Sequence, residues 1–304
     1  MEEMTQPVKE TPLLKRIILY TIPIILTGFL QLLFNAADLV VVGHYRGSIS
    51  VGAVGATGSI INLVVNLFMG LSVGAGVRVA HGIGAQNDKE IHRTVHTSIP
   101  TAVISGIILT VIGVVFSEQF LIWMKTPSDV IGLSTTYMEI YFCGITANLL
   151  YNYGAAILRA AGDTKGPLIY LTIAGILNVI LNIFFVSGFN MNVEGVALAT
   201  VISQFLSAVL VLAALMRRKD ACRLEWKKIK IYGKTLKGIL KIGVPAGIQG
   251  SMFSISNVII QSSVNSFGSL VISGSAASAN IEGFLFVSIN AMQQTASSAP
   301  SSLS

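Results

Sequence analysis

Long apolar runs dominate the pattern of hydrophobic and polar positions along the chain, and the first of them is Ile17–Val42. This run is 26 residues long and contains one formal charge, at Asp38. At a rise of about 1.5 Å per residue, a helix of this length crosses a hydrocarbon core of roughly 30 Å. The small and polar residues of the run recur at helical spacing and form one stripe: Gly28, Gln31, Asn35 and Asp38. Because lipid cannot satisfy polar groups, this stripe predicts contact with a protein interior or a water-filled cavity.

The same pattern divides the chain into eight predicted membrane spans. The first six are expected at 17–42, 47–77, about 99–116, 137–158, 168–186 and 196–215. Two connections stand out, a polar one at 81–96 and a Gly- and Pro-containing loop at 159–167 in which Asp163 serves as a local cap. The uncharged residues 242–281 are expected to hold the seventh span, a turn near 265–268 and the start of the eighth span.

Composition supports a membrane protein. Charged residues make up 11% of the 304-residue chain, against about 25% in a typical soluble domain, and hydrophobic residues make up 53%. A soluble protein with this balance would have almost no polar surface. The predicted fold class is therefore an all-α membrane protein, a polytopic helical bundle. Its two cysteines form no CxxC motif, and the sequence indicates neither a redox site nor a metal site built on cysteine.

The distribution of basic residues predicts the orientation in the membrane. With the N-terminus inside, the inner connections hold 18 of the 20 Lys and Arg residues, and only Arg46 and Lys125 lie outside. Such an excess on one side is typical of the cytoplasmic loops of membrane proteins. We therefore expect a multi-pass protein of the cell membrane with a cytoplasmic N-terminus. The net charge of +6 is explained by this topology, so nucleic acid is excluded as a partner.

A weak internal repeat indicates two similar halves. An offset of 222 residues superposes five identities: Lys15 on Lys237, Pro23 on Pro245, Gly28 on Gly250, Asn35 on Asn257 and Gly52 on Gly274. Six spans per repeat would give both halves the same orientation, as in transporters with parallel repeats.

This repeat predicts three segments: a six-helix N-terminal lobe at 1–215, a cytoplasmic basic linker at 216–241, and the first two helices of a C-terminal lobe at 242–304. A complete second half would extend to roughly residue 440 on the repeat logic, and we therefore expect this chain to be C-terminally truncated.

Several short motifs, in this order and spacing, carry a resemblance to a known family. They are Asn35–Gly43, Gly70–Gly76, Gly82–Gln86, Arg159–Lys165 with Pro167, Asn178–Asn182, Glu194–Thr200 and Ser278–Phe284. On these motifs the chain resembles the multidrug and toxic compound extrusion (MATE) transporters, which belong to a wider group that includes polysaccharide and lipid flippases. The resemblance covers about residues 13–296, and the chain departs from the family pattern after Thr295.

The resemblance implies a secondary antiporter that exports drugs or organic cations in exchange for H⁺ or Na⁺. It assigns the coupling role to Asp38 and names Asn178, Asn182 and Thr200 as companion oxygen donors. The resemblance implies no cofactor beyond the coupling ion. The one metal ion that it allows is Na⁺, bound at Asp38. Carboxylate and amide oxygens suit such a hard cation.

Two structural alternatives remain open for these residues. Asp38 could be a carboxylate near the outer boundary that water hydrates from the rim. Asn178 and Asn182, which share a helix face at i, i+4 spacing, could instead join helices through hydrogen bonds.

A substrate cavity is predicted from polar residues in or beside the spans: Gln31, Asn35, Asn257 and Glu282. Glu282 follows 40 uncharged residues and could alternatively pair with a residue of the missing half. Since no Lys or Arg occurs in a span interior, the pattern favours cationic or amphipathic small molecules over anionic lipid-linked sugars. Membrane lipid is the other expected partner.

Other classes of function stand as alternatives to the antiporter. A lipid or polysaccharide flippase of the same superfamily would be expected to carry basic residues in its cavity. An inactive, truncated membrane fragment is the second alternative, and the incomplete repeat favours it directly. An enzyme is not expected, because no His-Glu or Ser-His-Asp constellation lies at membrane depth.

Overall fold

A computed structural model describes residues 13–279, 282, 283 and 289 as a bundle of helices. The helices are α1 (Leu13–Arg46), α2 (Ser48–Gly84), α3 (Asp88–Trp123), α4 (Ile131–Cys143), α5 (Ile145–Ala160), α6 (Lys165–Ile183), α7 (Val193–Arg217), α8 (Gly233–Asn265) and α9 (Ser269–Ala279). This described part of the chain contains no β-strand, and the all-α prediction is confirmed.

Five of the described helical segments are long and apolar enough to cross a membrane. They are Tyr20–Arg46, Ser48–Gly84, Asp88–Trp123, Lys165–Gly188 and Val193–Arg217, and they correspond to the predicted first, second, third, fifth and sixth spans. Large apolar side chains at one-turn intervals, such as Ile107, Val111 and Val115 of α3, lie exposed on the outside of the bundle. Such a face requires lipid, and the protein is a multi-pass membrane protein.

The fourth predicted span, 137–158, is divided between two helices. α4 and α5 meet at Gly144, which ends the first helix and precedes the second. A Cβ atom built on Gly144 would lie 2.6 Å from the Val201 side chain of α7, and the glycine therefore allows this joint to pack closely. Prediction of one continuous helix was wrong here because hydropathy does not report a break that a close helix contact requires.

The length predicted for the polar connection at 81–96 was also wrong, because the connection is much shorter. α2 continues to Gly84 and α3 begins at Asp88, so that only three residues separate the two helices. The side chain of Asn87 accepts a hydrogen bond from the backbone N–H of Glu90 at 3.1 Å and so caps α3. The acidic residues Asp88 and Glu90 also favour a helix N-terminus at this point.

The loop predicted at 159–167 is confirmed in position but is shorter. α5 ends at Ala160 and α6 begins at Lys165. The carboxylate of Asp163 accepts a hydrogen bond from the backbone N–H of Gly166 at 2.8 Å, which confirms Asp163 as a local cap. Gly162 has a φ of +87°, a conformation that L side chains rarely adopt.

Glycines bring α8 against α2. A Cβ atom built on Gly74 would lie 2.9 Å from the backbone nitrogen of Gly243, and one built on Gly70 or Gly247 would also overlap the facing backbone. Small residues at four-residue spacing allow such close contact between membrane helices. The turn predicted near 265–268 follows α8 and is confirmed.

The basic linker is held against the ends of the helices. α8 begins at Gly233, so residues 233–241 of the predicted linker are its first turns. The backbone N–H of Leu224 donates to the carbonyl oxygen of Leu215 at 3.1 Å, and that of Glu225 donates to His96 Nε2 at 3.1 Å. Cys222 is 2% exposed. Residues 218–232 are thus packed against α3 and α7, while the division into two lobes stays a prediction.

Candidate functional site

The close approach of α1 to α6 sets the position of the candidate site. A Cβ atom built on Gly175 would overlap the aromatic ring of Phe34, because the ring fills the space that the glycine leaves. Asp38 lies one turn beyond Phe34, and Asn178 and Asn182 lie one and two turns beyond Gly175. The contact between the two helices therefore carries the carboxylate of α1 towards the amides of α6.

Four polar side chains from three helices form one hydrogen-bonded group, which we call the polar cluster: Asp38, Asn178, Asn182 and Thr200. Asn182 Nδ2 donates a hydrogen bond to Asp38 Oδ1, and Thr200 Oγ1 lies 3.3 Å from Asp38 Oδ2. Asn178 Nδ2 donates to Thr200 Oγ1 at 3.3 Å. The structure brings together all four residues that were predicted to bind the coupling ion.

The amide of Asn182 is only half satisfied. Its nitrogen donates both to Asp38 Oδ1 and to Asn178 Oδ1, the latter at 3.2 Å. Its oxygen, Oδ1, is buried and has no hydrogen-bond partner among the described residues. An amide oxygen offers two lone pairs, so this atom is available to a proton donor or a cation. An orphaned acceptor beside a carboxylate is a chemically suitable ligand set for a hard monovalent cation.

Asp38 has no countercharge in the described part of the structure. Asp38 is 6% exposed, and no ion pair joins its carboxylate to a described Lys, Arg or His. A buried carboxylate is costly unless it is protonated or paired with a cation. Burial argues against the alternative in which water hydrates Asp38 from the outer boundary. The polar cluster can therefore hold either a proton on Asp38 or a cation bound by its carboxylate.

Two residues near Asp38 were missed by sequence reasoning. Tyr137 and Tyr141 of α4 lie close enough to Asp38 to interact with it electrostatically. Their rings are stacked, with centroids 6.2 Å apart. Gln204 of α7 interacts with Tyr141, and its Oε1 atom is buried without a partner among the described residues. The one signal in the sequence was the i, i+4 spacing of two tyrosines in an apolar segment.

A short π-helical turn, Phe184–Gly188, follows α6 directly and begins two residues after Asn182. The Arg46 side chain, at the end of α1, donates to the carbonyl oxygens of Val186 at 2.8 Å and Met191 at 2.9 Å. These bonds join the end of α1 to the segment between α6 and α7. The ends of the three helices that carry the cluster are thus tied together.

The residues predicted to line the substrate cavity do not join the polar cluster. Gln31 and Asn35 lie on the exposed surface of α1, and Asn257 is exposed on α8. Glu282 is exposed as well, and the neighbouring Gly283 packs against Leu32 of α1. Glu282 therefore lies beside the stretch of α1 that carries Gln31 and Asn35. The stripe expected along α1 is divided, because only its Asp38 end meets α6 and α7.

The fold and the polar cluster define a polytopic helical membrane protein with a buried carboxylate at the meeting point of three helices. The sequence model of the MatE family matches residues 23–184, more than half of the chain. The chain belongs to the MatE family.

Curated relatives agree with this assignment. The chain is 29% identical over 277 residues to a protein named probable multidrug resistance protein YpnP of Bacillus subtilis (strain 168), covering 90% of this chain and 61% of that protein. It is 27% identical over 286 residues to probable multidrug resistance protein NorM of Thermotoga maritima, covering 92% of this chain and 61% of that protein. The chain thus spans about three fifths of the length of these relatives.

Solved structures share the fold. An outward-facing conformation of a multidrug resistance MATE family transporter matches with a TM-score of 0.82 at 23% identity, covering 92% of this chain and 62% of that chain. A crystal structure of MATE in the bent conformation matches with a TM-score of 0.81 at 22% identity, covering 94% of this chain and 64% of that chain. The predicted MATE-like bundle is confirmed.

Proposed function

We propose that this chain acts in secondary antiport, exporting drugs or other organic cations across the cell membrane in exchange for H⁺ or Na⁺. The observation that carries the proposal is the buried carboxylate of Asp38, which has no countercharge among the described residues. It is hydrogen-bonded to Asn182, whose own oxygen is buried and unpaired among those residues. The names of the relatives, which are multidrug resistance proteins, support the transport of small molecules. The protein is then a transporter and not an enzyme.

The polar cluster would couple ion binding to the position of α1. With a proton or a cation bound, Asp38 is neutralised and can remain packed against α6 and α7. When the ion leaves, a buried charge without a partner favours an arrangement in which water reaches the carboxylate. Since an ion shifts a conformational equilibrium only through its different affinity for the two states, this change in the hydration of Asp38 is the source of coupling.

The substrate would bind outside the polar cluster. Gln31, Asn35 and Asn257 offer exposed amides, and Glu282 offers an exposed carboxylate beside α1. A carboxylate and amide oxygens are suited to binding an organic cation. The same carboxylate would repel an anionic lipid-linked sugar. We therefore assign these four residues to a cavity for cationic or amphipathic molecules, with no cofactor other than the coupling ion.

The first test is efflux of a fluorescent organic cation from liposomes that contain a purified full-length form of this chain, since we expect the 304 residues not to transport by themselves. An imposed H⁺ gradient and an imposed Na⁺ gradient are compared, and the gradient that drives efflux identifies the coupling ion. We expect Asp38→Asn to abolish the gradient-dependent efflux because it keeps the shape of the side chain and removes its charge. Asp88→Asn, which changes an exposed acid at the start of α3, is the matched control and should leave efflux unchanged.

Ion binding can be measured without transport. If Na⁺ is the coupling ion, it should raise the midpoint of thermal unfolding of the wild-type chain, because a ligand that binds the folded state stabilises it. The increase should be lost in Asp38→Asn and reduced in Asn182→Leu, which removes the unpaired amide oxygen. Efflux that persists in Asp38→Asn would refute the coupling role of this residue.

A further inference from the structure

A cavity separate from the polar cluster lies where the basic ends of α5, α6 and α7 meet. Its volume is about 310 Å³, and its lining has two parts. Leu158, Leu210, Ala213 and Ala214 provide an apolar wall, while Asp163, Tyr170, Arg217 and Arg218 provide the polar residues. Two arginines above an apolar wall at the end of membrane helices match an amphipathic molecule with an anionic head.

The charges at this cavity are not all available to a ligand. Arg218 is bound by Asp220, whose carboxylate accepts hydrogen bonds from Arg218 Nε at 3.0 Å. Asp163 accepts a hydrogen bond from the backbone N–H of Gly166 at 2.8 Å, and its negative charge also acts on Arg218. Arg217 is exposed and forms no ion pair within the described residues. The free positive charge of the cavity is therefore centred on Arg217.

The surroundings add to this positive charge. Lys165 and Lys219 are exposed, and each lies close in sequence to residues that line the cavity. Trp226 is 59% exposed on the linker and donates from its indole nitrogen to the sulfur of Met216 at 2.7 Å. Tryptophan side chains are enriched where membrane meets water. This contact puts a residue type typical of the interface beside the end of α7, which carries Arg217.

We propose that this cavity binds an anionic phospholipid, with the phosphate at Arg217 and the remaining donors of Arg218, and with the upper part of an acyl chain along Leu158, Leu210, Ala213 and Ala214. Basic pockets between membrane helices on the cytoplasmic side are suited to anionic headgroups. The charge distribution predicts that this side faces the cytoplasm. The occupant is a lipid and not a soluble phosphate, because the apolar wall requires a hydrocarbon segment next to the anion. The site does not depend on the proposed transport activity.

The test measures binding of fluorescent phosphatidylglycerol to the purified chain in a neutral detergent. Arg217→Gln should weaken binding about five-fold, as expected for one basic residue facing an anionic headgroup. Lys227→Gln removes the same charge from an exposed linker residue outside the cavity and should leave binding unchanged. Ala213→Leu keeps every charge but narrows the apolar part, and we expect it to weaken binding as well. Size-exclusion profiles establish that each variant remains folded.

Four results would overturn the proposal. Equal weakening by Arg217→Gln and Lys227→Gln would mean that the basic face attracts lipid without a defined site. Unchanged binding in Ala213→Leu would show that the acyl chain does not lie in the cavity. Displacement of the labelled lipid by inorganic phosphate as effectively as by unlabelled phosphatidylglycerol would identify a site for soluble phosphate. Phosphatidylcholine should compete poorly, and equal competition by this zwitterionic lipid would also contradict the assignment.

Discussion

Asn182 shows how one side chain can prepare a site for an ion. Both of its amide hydrogens are used within the protein, on Asp38 and Asn178, and its oxygen remains unpaired among the described residues. The bonds fix the orientation of the amide, with its nitrogen towards the carboxylate and its oxygen left as an unpaired acceptor. A site with this geometry loses little order when it binds an ion. The polar residues around Asp38 therefore have a structural role and the proposed coupling role together.

Cys222 offers a prediction at the same scale, outside the membrane spans. Burial raises the pKa of its thiol to about 12. Because the thiolate is the reactive form, a thiol with this pKa stays protonated at pH 8 and reacts slowly with maleimides. We expect Cys222 to remain unlabelled in the folded protein in detergent and to be labelled after denaturation in SDS. The measurement uses Cys143→Ala, which removes the other cysteine.

The control for this prediction is Gly233→Cys in the same background. Gly233 is exposed at the start of α8, and no atom outside its own helix and its chain neighbours lies within 4 Å of a Cβ built there. A cysteine at this position should react quickly under conditions in which Cys222 does not. Rapid labelling of Cys222 would show that residues 218–232 are not held against α3 and α7 in solution.

At the scale of elements, the site depends on how closely α1 approaches α6. The ring of Phe34 fits against Gly175, and the cluster follows one turn further along both helices. Any side chain at position 175 must move either the ring or the helix. The glycine thus determines the distance between the carboxylate of α1 and the amides of α6, although it forms no bond to either.

We therefore predict that Gly175→Ala separates α1 from α6. Overpacking of this kind costs about 1–3 kcal/mol, and it should lower the midpoint of thermal unfolding. The stabilisation by the coupling ion should fall at the same time, because Asp38 moves away from Asn182. The midpoint is measured with and without the ion identified by the efflux assay.

Gly58→Ala is the matched control for this helix contact. Gly58 is also helical, but no atom outside its own helix lies within 4 Å of a Cβ built there, so the alanine should be tolerated. Combining Gly175→Ala with Phe34→Leu should restore part of the lost stability, since the smaller side chain makes room for the methyl group. Equal effects of the two glycine substitutions would contradict the proposed contact.

At the scale of the whole molecule, positive charge is distributed unequally between the two predicted sides of the membrane. Of the 20 Lys and Arg residues, 18 fall on the side predicted to be cytoplasmic. Arg46, on the other side, is bound to the segment between α6 and α7 by hydrogen bonds to Val186 and Met191. The exposed basic surface is thus concentrated at one end of the bundle, where the linker and the proposed lipid cavity lie.

The orientation can be tested with two single-cysteine variants in a background that carries both Cys143→Ala and Cys222→Ala. Gly233→Cys lies at the basic end, and Ser48→Cys lies at the opposite end, where Ser48 is exposed at the start of α2. In intact cells an impermeant maleimide should label Ser48→Cys and leave Gly233→Cys unmodified, and inside-out vesicles should give the reverse. Labelling of Gly233→Cys in intact cells would reverse the predicted topology.

The sequence by itself determined the membrane class and most of the helices. Transfer into lipid is favoured or opposed residue by residue, so long apolar runs identify spans without knowledge of their neighbours. The i, i+4 spacing of Asn178 and Asn182 likewise fixes a shared face on any α-helix. The role of Asp38 as part of a shared site came from the family resemblance, since a single charge in one span does not name its partners.

Only the tertiary structure decided which polar residues meet. Asp38 is bound by Asn182 and Thr200, which lie 144 and 162 residues away along the chain, while Gln31 and Asn35 of the same stripe remain exposed. Helical periodicity defines a face but not the helix that covers it. That choice depends on close contacts such as Phe34 with Gly175, and on breaks such as Gly144, which are set by the packing of several helices at once.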